Sequence, residues 1–193
     1  MNKADARLLF KAKRNQISQD EIENQSLQIA NRLLELSIWD FEYYHIYLPI
    51  HKFKEVDTSF LLHILQGKDK HVIISKSDFS DYSMQHFLLT DATKIIVNKF
   101  GIPEPEKGIA ISEEKLDVVF IPLLAADLNG NRVGYGKGFY DRFLEKCRPD
   151  VLKVGLSFFD PLKKLTETNS TDISLDFLVT SQDIYDFKRD KNA

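Results

Sequence analysis

A glycine-rich loop at residues 129–141 holds the residue types best suited to chemistry in this chain. Its sequence, NGNRVGYGKGFYD, has three glycines at alternate positions, which let the backbone approach a ligand closely and permit positive φ. Successive N–H groups that lead into a helix N-terminus form an anion site. Arg132 and Lys137 add positive charge, and Asp141 is a candidate ligand for a divalent cation. The loop therefore indicates a site for phosphate groups and a metal ion.

The loop fits neither of the two common nucleotide-binding motifs. A P-loop requires Ser or Thr after its Gly-Lys pair, and Gly138 stands at that position. The dinucleotide fingerprint G-x-G-x-x-G also fails, because Gly138 comes one residue early. Taken alone, the glycines are explained equally well by a turn that caps a helix.

A second group of cations lies near the N-terminus. Lys3, Arg7, Lys11 and Arg14 recur at steps of four and three residues, so they share one face of a predicted helix. The spacing of Lys3 and Arg7 supports a joint role for the two side chains. The alternative is a basic face that only contacts solvent.

The elements that must position these groups alternate between helix and strand. Ser18 and Glu21 form a predicted capping box for the second of two helices within the first 36 residues. Further helices are predicted at 59–66 and 138–147, and strands at 44–50, 71–75, 84–89, 117–122, 153–158 and 177–180. This order predicts an α/β protein with a three-layer Rossmann-like fold, in which helices flank a mostly parallel sheet. We expect a single domain over residues 1–193.

Composition excludes several classes of protein. Hydrophobic residues are 43% and charged residues 28% of the 193 residues, as in an ordinary globular domain. The net charge of −3 provides no basic field for non-specific binding of nucleic acid. No apolar run approaches the roughly 20 residues that span a bilayer, so no membrane partner is expected.

The single cysteine, Cys147, can form neither an internal disulfide nor a zinc site, which fits a reducing compartment. The first residues also lack the apolar core of a signal peptide. Together these features predict a cytoplasmic protein.

Several motifs in order along the chain resemble the 5-formyltetrahydrofolate cyclo-ligase family, also called 5,10-methenyltetrahydrofolate synthetase. The segment 127–141, DLNGNRVGYGKGFYD, resembles the family signature. The segments KADAR at 3–7, LPI at 48–50 with EVDT at 55–58, and GIPEP at 101–105 resemble other conserved parts of that family. The resemblance covers nearly the whole chain.

The resemblance implies an enzyme that converts 5-formyltetrahydrofolate and ATP into 5,10-methenyltetrahydrofolate, ADP and phosphate, with Mg²⁺ as the metal. ATP would phosphorylate the formyl oxygen, and the neighbouring folate nitrogen would then close the ring as phosphate leaves. Such a reaction needs positioning and charge stabilisation more than a nucleophilic side chain. The expected partners are these small molecules, and we expect the chain to act as a monomer.

The resemblance also implies roles for individual residues. Lys137 and Arg132 would be catalytic, with Lys137 neutralising charge on the transferring phosphoryl group. Asp141 and Asp176 would hold Mg²⁺. ATP would contact Lys3, Arg7, Arg132, Val133, Gly134, Tyr135, Gly136, Lys137, Gly138, Phe139 and Tyr140. The folate substrate would contact Leu48, Ile50, Glu55, Tyr135, Gly136, Lys137, Gly138 and Phe139, with Glu55 at the pterin.

Each of these residues also has a purely structural explanation. Asp141 suits the first turn of a helix, Asp176 a strand edge and Glu55 an exposed turn, while Leu48 and Ile50 suit a core strand. In the segment TDISLD at 171–176, Thr171 departs from the histidine of many relatives. The five histidines show no metal-ligand spacing and receive no catalytic role, and Trp39 and Cys147 are interpreted as packing residues.

Two other functions compete with this interpretation. One is a different enzyme on a similar α/β scaffold, such as a phosphosugar isomerase or an acyl-CoA transferase, since fold alone does not determine function. The other is a non-catalytic folate- or nucleotide-binding protein. The departure from the family pattern at Thr171 leaves this alternative open.

Overall fold

Four α-helices form close to the positions at which the sequence predicts helices. The structure, a computed structural model, describes residues 1–188. Its helices are α1 (Lys3–Gln16), α2 (Gln19–Leu33), α3 (Ser59–Gly67) and α4 (Phe139–Glu145). The predicted capping box is confirmed, because the Ser18 side chain accepts from the Glu21 backbone N–H and Glu21 reaches back to the N-cap.

The helices flank a sheet of seven strands: β1 (Tyr43–His45), β2 (His71–Asp78), β3 (Ser83–Leu88), β6 (Val118–Pro122), β9 (Leu152–Leu156), β10 (Phe177–Val179) and β11 (Ile184–Asp186). Their order across the sheet is β11-β10-β9-β6-β1-β2-β3. The four inner pairings, from β10 to β2, are parallel, and the two edge pairings are antiparallel. The predicted α/β fold with a mostly parallel sheet is confirmed.

Both faces of the sheet are buried, which gives the fold its three layers. Along β6, Val118 and Phe120 pack on the side of α2 and α3, whereas Val119 and Ile121 pack on the side of α4. This alternation follows from the two-residue period of a strand. It explains the continuous apolar run that the sequence shows between residues 118 and 121.

Two small hairpins lie outside the main sheet, and the sequence did not predict them. They are β4 (Ile95–Val97) with β5 (Pro103–Pro105), and β7 (Ala125–Ala126) with β8 (Arg132–Val133). On one side of α1, Ala6 and Phe10 pack against the second hairpin. The N-terminal helix is thereby fixed beside the start of the glycine-rich loop.

The strand predicted at 44–50 was too long, since β1 ends at His45 and the chain then leaves the sheet. Pro49 has no N–H to donate to a neighbouring strand. Residues 51–53 form a short 3-10 turn instead. Within residues 1–188, no helix combines the length and the apolar character needed to cross a membrane.

Candidate active site

A cavity of about 820 Å³ opens at the carboxyl ends of β1, β2 and β6. Parallel α/β sheets bind ligands at this edge, because their loops diverge there. Its volume is that of a site for a small molecule or cofactor. Of the predicted residues, the following line it: Lys3, Arg7, Leu48, Ile50, Glu55, Arg132, Gly134, Tyr135, Gly136, Lys137, Gly138, Phe139, Tyr140 and Asp141.

Two predicted residues do not line the cavity. Val133 is fully buried in β8 and packs against Ala6 and Phe10, so its side chain belongs to the core. Asp176 is buried at the start of β10, where it accepts from the backbone N–H of Lys153 at 2.9 Å and pairs with the Lys153 ammonium at 2.8 Å. Asp176 is thus paired with Lys153 and does not line the cavity that Asp141 lines. Its role as a Mg²⁺ ligand stays a prediction.

The start of the glycine-rich loop is anchored by Asp127, which the sequence did not single out. Asp127 is fully buried, and its carboxylate accepts from the backbone N–H groups of Asn129, Asn131 and Leu165 at 2.8–3.0 Å. Three residues hydrogen-bonded to one side chain hold a tight turn that is neither strand nor helix. This turn sets the direction of β8 and hence of Arg132.

The loop itself requires glycine at two positions. Gly136 has φ +93° and Gly138 has φ +71°, a region that residues with a Cβ rarely adopt. Arg7 reaches the loop from α1, and its Nε donates to the Gly134 carbonyl oxygen at 3.0 Å. The structure thus brings the N-terminal cation and the glycine-rich loop together.

Arg132 lies at the centre of a charged cluster on one side of the cavity. Its Nη2 lies 2.6 Å from Oδ1 of Asp141, and its Nη1 donates to the Ile173 carbonyl oxygen. The Ile173 N–H in turn donates to Asp141 at 3.2 Å. Burial lowers the pKa of Arg132, although Asp141 acts in the opposite direction. Arg132 therefore joins α4 to the segment before β10.

Asp172 enters the cavity from that segment, although no motif in the sequence indicated a role for it. Its carboxylate forms an ion pair with the Lys3 ammonium. Burial opposes ionisation of Asp172, but hydrogen bonds from Lys3 and from the Asn169 backbone lower its pKa overall. Thr171, at the position of the departure from relatives, also lines the cavity. Asp141 and Asp172 are thus the two carboxylates beside Arg132.

Within residues 1–188, no group of three or more His, Cys, Asp and Glu side chains is arranged to hold a metal ion. A dedicated protein cage for a metal is therefore absent from the described chain. Mg²⁺ instead commonly takes one or two carboxylates and completes its shell with phosphate oxygens and water. Asp141 and Asp172 fit that requirement in number and in donor type.

A buried carboxylate, Glu55, lies on another side of the cavity. Its Oε1 accepts from the Tyr135 hydroxyl at 2.7 Å, and its Oε2 accepts from the Ile50 N–H at 2.7 Å. Burial raises the pKa of Glu55, and these two hydrogen bonds only partly offset that effect. The exposed-turn explanation of Glu55 is wrong, since the residue is only 5% exposed.

Arg14 extends this network, and its membership in the basic face of α1 was the only signal in the sequence. Its Nη1 donates to the Tyr135 hydroxyl at 3.0 Å, and its Nη2 donates to the Leu123 carbonyl oxygen at 2.5 Å. Arg14 is 2% exposed. The chain Arg14–Tyr135–Glu55 therefore connects α1, the glycine-rich loop and the segment after β1.

Aromatic side chains from separate segments form the rim of the cavity. The rings of Phe79 and Phe100 lie 4.0 Å apart, and Phe79 also contacts Phe139 at 5.1 Å. Phe53 lies 5.1 Å from Tyr135. No local spacing could have found this rim, because its members are far apart in the sequence.

Comparisons with known proteins agree with this geometry. The model of the 5-formyltetrahydrofolate cyclo-ligase family matches residues 1–180. A probable 5-formyltetrahydrofolate cyclo-ligase of Schizosaccharomyces pombe is 26% identical over an alignment that covers 95% of this chain and 97% of the relative. The 5-formyltetrahydrofolate cyclo-ligase of Haemophilus influenzae is 32% identical over 54% of this chain and 58% of its own length.

Two solved structures are similar over most of the chain. The 5,10-methenyltetrahydrofolate synthetase of Aquifex aeolicus superposes with a TM-score of 0.82 at 30% identity, covering 97% of this chain and 94% of the other. The corresponding synthetase of Mycoplasma pneumoniae superposes with a TM-score of 0.73 at 21% identity, over 94% and 99% of the two chains. The second comparison supports the fold alone.

Proposed function

Because this chain belongs to the 5-formyltetrahydrofolate cyclo-ligase family, we propose that it cyclises 5-formyltetrahydrofolate to 5,10-methenyltetrahydrofolate with ATP and Mg²⁺, releasing ADP and phosphate. The observation that carries the ATP part is the meeting of Lys3, Arg7, Arg132 and Lys137 in one cavity. These cations come from two distant parts of the chain. A protein that bound only the folate would not need to gather them around a glycine-rich loop.

The chemistry explains why cations and backbone suffice. An amide-like formyl oxygen is a poor leaving group, and phosphorylation by ATP converts it into a good one. The neighbouring nitrogen of the folate then attacks the formyl carbon, and phosphate departs. Phosphoryl transfer is accelerated mainly by positioning and by stabilising the charge that spreads over the phosphate oxygens. Lys137, which lies exposed on the loop, is the side chain proposed to neutralise that charge.

Asp141 and Asp172 are the residues proposed to hold the metal ion. When bound with ATP, Mg²⁺ would neutralise part of the phosphate charge. Both carboxylates are paired with cations in the described structure, Asp141 with Arg132 and Asp172 with Lys3. Phosphate groups that attract Arg132 and Lys3 would therefore free carboxylate oxygens for the metal. This exchange keeps the local charge balanced.

Glu55 is proposed to recognise the pterin. Each of its oxygens accepts one hydrogen bond and retains a lone pair, and the pterin offers a ring N–H and an amino group as donors. Leu48 and Ile50 supply apolar contacts beside it. We also propose that the protein is cytoplasmic, since Cys147 is buried and free, as expected in a reducing compartment. We further propose a monomer, and light scattering on the purified protein tests its size.

An absorbance assay tests the function directly. The purified protein is mixed with 5-formyltetrahydrofolate, ATP and Mg²⁺, and formation of the methenyl product is followed, with each component omitted in turn. We expect product only when all three are present. Lys137→Ala should lower kcat/KM by about 100-fold or more, the effect of removing a charge-stabilising group. Lys115→Ala, an exposed lysine outside the cavity, is its matched control.

Folded protein that forms no product above the enzyme-free background would contradict the proposal. Protein that binds 5-formyltetrahydrofolate without consuming ATP would favour the non-catalytic alternative. An unchanged rate in Lys137→Ala would remove Lys137 from the reaction while leaving the function in place.

A further inference from the structure

A serine hydroxyl in the cavity wall is held between two buried imidazoles. Ser75 of β2 lies directly across the ladder from His86 of β3, and β1 on its other side ends at His45. The Ser75 Oγ is 2.6 Å from Nε2 of His45 and 2.9 Å from Nδ1 of His86. Ser75 and His45 both line the cavity, and Ser75 is partly exposed there. The function proposed above uses none of these three groups.

Hydrogen-bond capacity leaves one position of the Ser75 oxygen available. A hydroxyl has one donor and two acceptor positions, and a neutral imidazole has one donor and one acceptor. Burial lowers the pKa of His45 well below its usual range and that of His86 to about 4, so both rings are neutral near pH 7. Ser75 therefore donates to one ring and accepts from the other. Its second lone pair can accept an N–H from a molecule in the cavity.

Glu113 determines the direction of this arrangement. Its Oε1 lies 3.9 Å from Nε2 of His86, and Lys146 approaches the same oxygen at 3.9 Å. A nearby carboxylate favours the proton on Nε2 of His86, which leaves Nδ1 as the acceptor for the Ser75 hydroxyl. His45 then donates its Nε2–H to Ser75. The Glu113 side chain is partly exposed, so the row of groups leads from the cavity to solvent.

We propose that Ser75 receives the proton that ring closure releases, and that His86 accepts the hydroxyl proton of Ser75 in the same step. This inference rests on the proposed function. As the folate nitrogen attacks, a C–N bond forms, the C–O bond to phosphate breaks, and its electron pair leaves with phosphate. The nitrogen loses its N–H proton to Ser75 Oγ, and Ser75 passes its own proton to Nδ1 of His86.

A weakly basic imidazole is adequate for this task. The nitrogen that attacks the formyl carbon carries positive charge until it loses its proton, which makes that proton acidic. The imidazolium that forms on His86 faces the Glu113 carboxylate, which raises the pKa of His86 against the larger effect of burial. His86 can then release its Nε2 proton towards Glu113, which leaves a neutral ring with its proton on Nδ1. Proton exchange with solvent restores the starting tautomer.

The first test compares Ser75→Ala with the parent protein. A positioned proton acceptor contributes on the order of 100-fold or more to a rate. We expect kcat to fall at least tenfold with KM for the folate within about twofold. In a single turnover, ADP should form ahead of the methenyl product, because phosphorylation proceeds while ring closure is slow. Ser75→Thr, which keeps the hydroxyl, should restore kcat, and ADP and the methenyl product should again form at the same rate.

Two further variants keep the test decisive. His86→Asn keeps an acceptor near Ser75 but cannot take up a proton, so it should reproduce the effect of Ser75→Ala even if that variant folds poorly. Ser157→Ala removes a buried hydroxyl outside the cavity and should keep the parent's kinetics. An unchanged kcat, a loss confined to KM, or ADP and product that slow together would each overturn the inference. A parent protein without activity would instead overturn the proposed function.

Discussion

Single side chains in the cavity differ in whether their charge is already neutralised. Lys3 and Arg132 each have a carboxylate partner, Asp172 and Asp141 respectively. Lys137 has no carboxylate within 4.0 Å among residues 1–188, and its ammonium lies 5.7 Å from the ring of Tyr82. On the proposed function, Lys137 is therefore available to an incoming phosphate without breaking an ion pair. Lys3 and Arg132 exchange one anionic partner for another.

The carboxylates of this cluster allow a prediction about the metal ion. Asp141→Asn and Asp172→Asn should each raise the Mg²⁺ concentration for half-maximal activity, on the order of tenfold, because each removes an anionic oxygen donor. Asp176→Asn should leave that concentration unchanged, since Asp176 pairs with Lys153 outside the cavity. Titration of activity with Mg²⁺ at fixed ATP measures all three.

The same titration can contradict the assignment. If Asp176→Asn weakened the Mg²⁺ dependence and Asp172→Asn did not, the sequence-based choice of Asp176 would be restored. Equal titrations for Asp141→Asn and the parent would remove Asp141 from the metal site.

The residue types in the sequence predicted the glycine-rich side of the cavity better than they predicted the residues that complete it. The loop between 132 and 141 is contiguous, so its glycines and charges could be interpreted together from the sequence. Asp172 and Asp176 are the same residue type four positions apart, and only the turn before β10 decides which of them enters the cavity. The relation of Ser75 to His45 and His86 depends on strand order, which no local spacing reveals.

At the scale of elements, Arg14 couples α1 to the rest of the site. It spans from the Leu123 carbonyl oxygen after β6 to the Tyr135 hydroxyl in the loop, and Tyr135 in turn donates to Glu55. Its guanidinium is planar and can serve both acceptors at once, which an ammonium on a flexible stem does less well. The position of α1 therefore affects the orientation of Glu55.

Arg14→Lys should accordingly weaken both stability and folate binding. Loss of one partner leaves a buried polar group unsatisfied, which costs about 1–3 kcal/mol. We expect the free energy of unfolding in urea to fall by that amount, and KM for the folate to rise more than kcat falls. Lys13→Ala on the same helix is exposed and should change stability by about 0.5 kcal/mol or less. Equal stability in Arg14→Lys and the parent would show that the Arg14 network contributes little.

Helices and strands whose signals lie in neighbouring residues could be predicted, whereas those that depend on tertiary contacts could not. The N-terminus of α2 follows from Ser18 and Glu21, and the helix begins where the capping box places it. The end of β1 follows from tertiary context, because the residues after His45 leave the sheet to line the cavity. The hairpin of β4 and β5 has strands of three residues each, too short for an alternating pattern to indicate it.

At the scale of the whole molecule, the cavity is assembled from parts that are far apart in the chain. The N-terminal helix, the segment after β1, the glycine-rich loop and residues 169–172 all line it. An unfolded chain does not hold these parts together, so it lacks the site. That the entire chain acts as one domain stays a prediction. Ligands that contact all four parts should stabilise the four parts jointly.

ATP with Mg²⁺ should therefore raise the midpoint of thermal unfolding. A ligand at 100 times its Kd that binds only the folded state adds about 2.7 kcal/mol. For a chain of this size each kcal/mol corresponds to about 2–4 °C, so the expected increase is about 5–10 °C. Lys137→Ala should lose most of the increase with ATP but keep the increase with 5-formyltetrahydrofolate, because Glu55 and the apolar wall are intact. Inorganic phosphate at equal ionic strength controls for salt. A parent protein stabilised by the folate but not by ATP would show that the cations do not form a nucleotide site.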